Sequence, residues 1–178
     1  KGMEAILPGN TASLDLFWNQ NLRSQEKGRM FEERNSALYY KFVGSDVDHL
    51  SESKDEQETI SLGLKWIGYK NQFFSSALIP DGKFNGALIR SGMNNDPAYL
   101  KNFHTETTVD YNPADNNGPG FRFYLGPNLY PLLHSYDKGV DDDKALDLDK
   151  LVPLGFKFFR WINTWIIIPI FTFLGKYI

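Results

Sequence analysis

Apolar and polar residues alternate along the middle of the chain. Between 102 and 111, Phe103, Thr105, Thr107 and Val109 fall on one side, and His104, Glu106, Thr108 and Asp110 on the other. A period of two is that of a strand with one buried and one wet face. Runs rich in aromatic and β-branched residues predict further strands over 14–18, 36–43, 60–69, 73–79, 83–90 and 121–125. Turn chemistry separates them: Pro80-Asp81-Gly82, the stretch 92–97, and the Asn-, Asp-, Pro- and Gly-dense stretch 112–120. Residues 24–34 are charged and read as loop or hairpin, 51–58 read as an exposed loop, and 128–136 reads as a short helix. Strands at intervals of roughly ten to fifteen residues, with no internal repeat, predict a mainly β protein, an antiparallel β-sandwich.

The pattern changes near the C-terminus. From Trp161 to Gly175 no residue is charged, and the run is bracketed by Arg160 and Lys176. As a helix these fifteen residues would span roughly 22 Å, less than the roughly 30 Å of a hydrocarbon core. On a helical wheel Lys157, Arg160 and Thr164 share a face, and Phe158, Phe159, Ile162, Trp165 and Ile166 share the other. Trp161 and Ile168 intrude on the polar side. Pro169 lacks an amide hydrogen, so a helix is expected to kink or restart there. Cations on one face and Trp and Phe on the other suit a helix lying in the membrane interface. The candidate interface residues are Lys157, Arg160, Trp161, Trp165, Ile166, Ile167, Ile168 and Phe171. A helix covering the open face of the sheet, and a spanning helix, remain as alternatives. The chain is expected to divide into a β-sandwich over 1–152 and short amphipathic helices over 153–178.

Composition narrows the function classes. The 178 residues carry a net charge of -3 and no cluster of Lys and Arg, which argues against nucleic acid. At 42% hydrophobic residues the chain can bury a core, and 15% aromatics favour strands. With no cysteine, a disulfide scaffold and a zinc-thiolate site are excluded, though the compartment is not fixed.

Catalytic chemistry finds little support. His49, His104 and His134 are isolated, there is no Gly-x-Ser-x-Gly elbow, and no glycine-rich phosphate loop occurs. Asp141, Asp142, Asp143, Asp147 and Asp149 lack the Gly and Glu positions of a calcium loop and read as a solvated acidic loop. No catalytic residue, metal site or cofactor is expected. A groove for an extended ligand is the remaining option, with Trp18, Trp66, Tyr69 and Tyr124 as candidate platforms in a carbohydrate-binding sandwich; the plainer reading places such aromatics in the core.

Four blocks carry a family resemblance. Leu64-Lys65-Trp66-Ile67-Gly68-Tyr69 through Ala77-Leu78-Ile79-Pro80 resembles a Trp-centred strand pair. Tyr124-Leu125-Gly126-Pro127-Asn128, Leu151-Val152-Pro153-Leu154-Gly155, and Trp161 to Phe171 follow in the matching order. Together they cover about the last two thirds of the chain and resemble the periplasmic domain of YidC/Oxa1/Alb3-type membrane protein insertases. The resemblance implies a β-supersandwich, a fold shared with sugar mutarotase-like domains, on the periplasmic side of a bacterial inner membrane. It implies a non-enzymatic role in inserting and folding membrane proteins, alone or with the Sec translocon. The implied partners are nascent membrane proteins, Sec components and the bilayer surface. On the same resemblance, 1–152 is the C-terminal portion of a larger domain, and 153–178 is an elbow leading into a transmembrane helix. The rival readings are a carbohydrate-binding or mutarotase-like domain, and a module that docks partners through a sheet edge or groove.

Overall fold

The computed structural model describes residues 12–112, 118–153 and 163–174. Nine strands follow one another: β1 Ser13–Arg23, β2 Ala37–Phe42, β3 Val47–His49, β4 Glu56–Ile60, β5 Leu64–Lys70, β6 Phe74–Pro80, β7 Phe84–Met93, β8 Tyr99–Asp110 and β9 Phe121–Pro127. All pairings are antiparallel. The hydrogen-bonded network is continuous but folds into two leaves. One runs β1-β8-β7-β4 and the other β3-β2-β5-β6-β9, and they join where Leu64 of β5 meets Phe84 of β7. This is the β-sandwich expected from the alternation.

The core between the leaves is built by the inward parity of each strand. On β8, Phe103, Thr105, Thr107 and Val109 are buried while His104, Glu106 and Thr108 are half-buried, so the alternation read from the sequence sets the facing. Leu38 and Tyr40 of β2, Ile67 and Tyr69 of β5, Leu78 of β6 and Phe84 and Ile89 of β7 complete the cluster.

The second leaf also buries its outer face. Ala37, Tyr39, Trp66, Ala77, Ile79 and Tyr124 pack beneath Leu133 of the short helix Tyr130–Ser135, and beneath Leu148 and Leu151 of a 3₁₀ turn. Trp66 is fully buried, and its Nε1–H donates to the Leu146 carbonyl at 2.6 Å. The acidic loop is tied to the same face. The Asp137 carboxylate accepts the amides of Leu146 and Asp147, and Lys65 Nζ donates to the carbonyls of Asp143 and Ala145.

Several elements differ from the sequence expectation, among them the unexpected strand β3 and the start of β4, which falls within 51–58, expected as loop. β1 runs on through Asn19-Gln20-Asn21 to Arg23, because twelve-residue β8 offers it a ladder over its whole length, which overrides weak propensity. The strand expected over 60–69 is two strands, broken at Ser61-Leu62-Gly63 where the chain crosses between leaves. Residues 24–34, expected as loop or hairpin, include the helix α1 Arg29–Arg34. The buried Glu32 carboxylate holds this region by accepting the amides of Gln25 and Glu26 and the Ser24 hydroxyl. The corner is tight at Gly86, whose φ is +118°; a Cβ there would lie 2.5 Å from the Ile60 carbonyl oxygen.

The helix Tyr130–Ser135 is α2. At the C-terminal end a π-helical turn, Asn163–Ile167, passes into α3, Ile168–Leu174. The winding changes beside Pro169, where a missing amide hydrogen costs a helix least, at its first turn. Among the described residues no helix is long and apolar enough to cross a membrane.

Candidate functional site

The two leaves part along one side, where β1 is the edge of the first leaf and β9 the edge of the second. Between them lies an open trough of about 710 Å³. β1 contributes Trp18, Gln20 and Leu22; β5 and its turn contribute Tyr69 and Asn71; β6 contributes Phe74, Ser75 and Ser76; β9 contributes Phe123, Leu125, Gly126 and Pro127. None of these side chains is charged, although 23% of the chain is.

The floor is a stack. Trp18 lies on Tyr69 with centroids 3.9 Å apart and planes 20° apart, and Phe123 meets Trp18 edge-on at 6.2 Å. The Tyr69 hydroxyl is anchored beneath it, donating to the Trp18 carbonyl at 2.7 Å and bonded to the Thr105 hydroxyl at 2.8 Å. Burial pushes the Tyr69 phenol well above its ordinary value, and the Thr105 hydrogen bond opposes this in part. One hydroxyl thus ties β5 to both β1 and β8. Ser76 donates to Gln20 Oε1 at 2.9 Å, a second tie across the opening. Trp18 and Tyr69, two of the four proposed platforms, therefore meet in the trough, with Tyr69 as floor.

The other two lie elsewhere. Trp66 and Tyr124 point to the opposite face of the second leaf, into the cluster under α2. Trp66 is fully buried and offers no ring face to a ligand, which corrects its place among the platforms. Tyr124 sends its hydroxyl along the strand to the Pro127 carbonyl, and packs edge-on against Tyr136 at 5.9 Å. Gly126 makes room for that reach, since a Cβ on it would sit 2.9 Å from the Tyr124 hydroxyl. Burial, with a smaller contribution from Tyr136, raises the Tyr124 phenol. Sequence reasoning missed Phe74, Phe123 and Leu125. The alternation Phe121, Phe123, Leu125 along β9 was the signal that could have found them.

The C-terminal segment presents a different surface. Trp165 is 77% and Phe171 69% exposed, and Ile166, Ile167, Ile170, Phe173 and Leu174 are exposed as well. Ile168 is half-buried, and α3 buries no side chain. Of the interface candidates, Lys157, Arg160 and Trp161 lie outside the described residues. Leaf cover comes instead from α2 and the 3₁₀ turn.

Two polar clusters lie apart from the trough. The carboxylates of Asp137, Asp147 and Asp149 converge within 4.8 Å, and each has a partner: backbone amides for Asp137, Lys41 for Asp147, His134 for Asp149 at 3.4 Å. The acidic loop is thus only partly solvated. Inside the sandwich, fully buried Lys101 donates to the Ser36 and Glu52 carbonyls at 2.6 and 2.8 Å. Burial lowers its pKa to about 8, against the pull of Glu52.

Residues 11–172 match the family model described as the YidC periplasmic domain. The chain is 46% identical over 177 residues to the membrane protein insertase YidC of Parabacteroides distasonis, covering 99% of this chain and 28% of that protein. It is 48% identical over 162 residues to its counterpart in Azobacteroides pseudotrichonymphae, covering 91% and 26%. Against the Porphyromonas gingivalis protein the identity is 39% over 179 residues, covering 99% and 28%. The chain thus spans little more than a quarter of the length of the curated relatives it matches.

Proposed function

Because the chain belongs to the family of YidC periplasmic domains, we propose that it serves a membrane protein insertase, on the periplasmic side of a bacterial inner membrane. The parent protein assists insertion and folding of membrane proteins, alone or beside the Sec translocon. It does so by lowering the cost of moving polar flanks of a nascent helix through lipid, where unsatisfied polar groups are expensive. In this reading 1–152 is a sandwich body and 153–178 its junction with the membrane.

The observation that carries the reading is the exposed apolar run from Trp165 to Leu174. Burying such a surface in the headgroup region removes apolar area from water, and Trp favours that depth. Lys157 and Arg160 supply the charge that would sit near lipid phosphates. The segment then holds the sandwich against the bilayer surface.

Flotation with anionic liposomes tests this, using the chain with and without residues 153–178. Binding that is lost on truncation, and weakened by combined Trp161→Ala and Trp165→Ala substitution, is the expected result. Equal flotation of both forms, or of neither, overturns the membrane contact.

A further inference from the structure

The stretch 137–151, which helps to seal the outer face of the second leaf, is held differently from the strands beneath it. It adds no strand to the sheet. Side chains of the sheet grip it instead. Lys65 Nζ of β5 donates to the carbonyls of Asp143 and Ala145 at 2.7 and 3.0 Å, and Trp66 Nε1 to that of Leu146 at 2.6 Å. Lys41 Nζ of β2, itself buried, donates to the Asp147 carboxylate. Leu148 and Leu151 supply the apolar contact.

One carboxylate organises this grip. Asp137 accepts the amides of Leu146 and Asp147, both at 2.6 Å. Those are the residues whose carbonyl and carboxylate meet Trp66 and Lys41. Asp147 also lies in the left-handed region, with φ +51°, and is the only non-glycine residue there among the described residues. Such a backbone persists only where its surroundings hold it. Asp147 then leads into the 3₁₀ turn Leu148–Leu151 that carries the two buried leucines. Carboxylate, lysine and turn therefore support one another, as coupled polar contacts do. The core between the leaves depends on none of them: its cluster contains no residue of 137–151.

We propose that 137–151 is a strap that unlatches as one cooperative unit while the sandwich stays folded, with Asp137 as its latch. Segments open below the free energy of global unfolding when their loss leaves an intact core behind. Unlatching hydrates Lys41, Lys65 and the face around Trp66, and lets the Asp147 backbone relax. It also frees the chain at Leu151, immediately before Val152 and Pro153, where the C-terminal segment begins. While the strap is latched, the start of that segment moves with the sheet; once it is unlatched, the two turn independently. Every contact involved lies within the chain, and the opening needs no lipid.

Hydrogen exchange followed by NMR on the 178-residue chain tests this without any membrane. The reporters are the amides of Leu146, Asp147, Lys150 and Val152 and the Trp66 indole N–H, all hydrogen-bonded in the latched state. They are expected to share one opening free energy, lower than that of the β8 ladder amides and less steeply dependent on urea, since less surface is exposed. Asp137→Asn keeps one acceptor oxygen of two, and should speed exchange of every reporter by a common factor of about ten or more. Lys65→Met should speed the same set. Near-ultraviolet circular dichroism checks that both variants stay folded, and the comparison with β8 in the parent needs no variant. Reporters that exchange with the free energy and urea slope of β8 open only with the whole protein, which overturns the proposal. Acceleration of the Leu146 and Asp147 amides alone, with the Trp66 indole unmoved, makes Asp137 a local cap and overturns it equally.

Discussion

The two faces of the β3-β2-β5-β6-β9 leaf meet opposite fates. Against each lies a tryptophan near a tyrosine: Trp66 of the leaf itself on the outer face, and Trp18 of β1 in the facing leaf on the inner one. On the outer face Trp66 is sealed by α2 and the 3₁₀ turn, and its indole nitrogen bonds to the Leu146 carbonyl. On the inner face, toward the β9 edge, Trp18 closes over Tyr69 but nothing in the described chain closes over Trp18. Among the described residues the chain returns to cover the outer face and leaves the trough end open. The covered face is therefore where stability is concentrated.

Substitutions can break that contrast, and the largest effect is expected at the covered face. Trp66→Ala should cost about 3–5 kcal/mol, because it empties a fully packed site and frees a carbonyl. Urea denaturation measures it directly. A cost equal to that of Trp18→Ala would erase the distinction between the two faces.

The interior between the leaves supplies the next effect, since it holds a charge where the trough holds none. Lys101 has a folded pKa of about 8 against an ordinary 10.5. Between those values the unfolded chain binds more protons than the folded one, so stability rises with pH across that window. A gain of roughly 1–3 kcal/mol is expected from pH 8 to about 10. Above that, Tyr39, Tyr40 and Tyr69 keep their protons when folded, since burial raises all three, and stability falls again. Denaturation midpoints against pH should show a rise in the parent that is reduced in Lys101→Met, where buried Lys70, also lowered by burial, still contributes.

Smaller effects are expected at the trough. Trp18→Ala should cost about 2 kcal/mol, for a half-buried ring losing its stack on Tyr69. Thermal unfolding should show the Tyr69 hydroxyl tie surviving it, because the acceptor there is the Trp18 backbone carbonyl. Leu125→Ser should change stability by no more than about 0.5 kcal/mol, measured in urea. A larger loss would mean that the exposed edge is part of the core.

Much of the sandwich could be read before the structure. The period-two pattern of 102–111 assigned the two sides of β8, and the Pro80-Asp81-Gly82 turn separated β6 from β7. The trough was half legible. Trp18 and Tyr69 stand out in the sequence as ring-bearing strand residues, but so do Trp66 and Tyr124, which face the other way. Residue type announces a ring and parity announces a side. Which side ends up covered depends on where α2 and the 3₁₀ turn come to rest, some sixty residues or more away from Trp66 in the chain.

By itself the sequence determined the class of fold, the alternating sides of the strands, and the charge-free run at the C-terminus, because these follow from local periodicity and composition. It also carried the motif Tyr124-Leu125-Gly126-Pro127, whose logic is local: glycine clears the space through which the tyrosine hydroxyl reaches a carbonyl three residues on. Only the tertiary structure decided that β1 and β9 stand as edges on the same side, that Tyr69 bridges the leaves, and that Lys101 is buried among carbonyls. Those are contacts between residues far apart in the chain. Their geometry depends on how the two leaves pack, which no local pattern encodes.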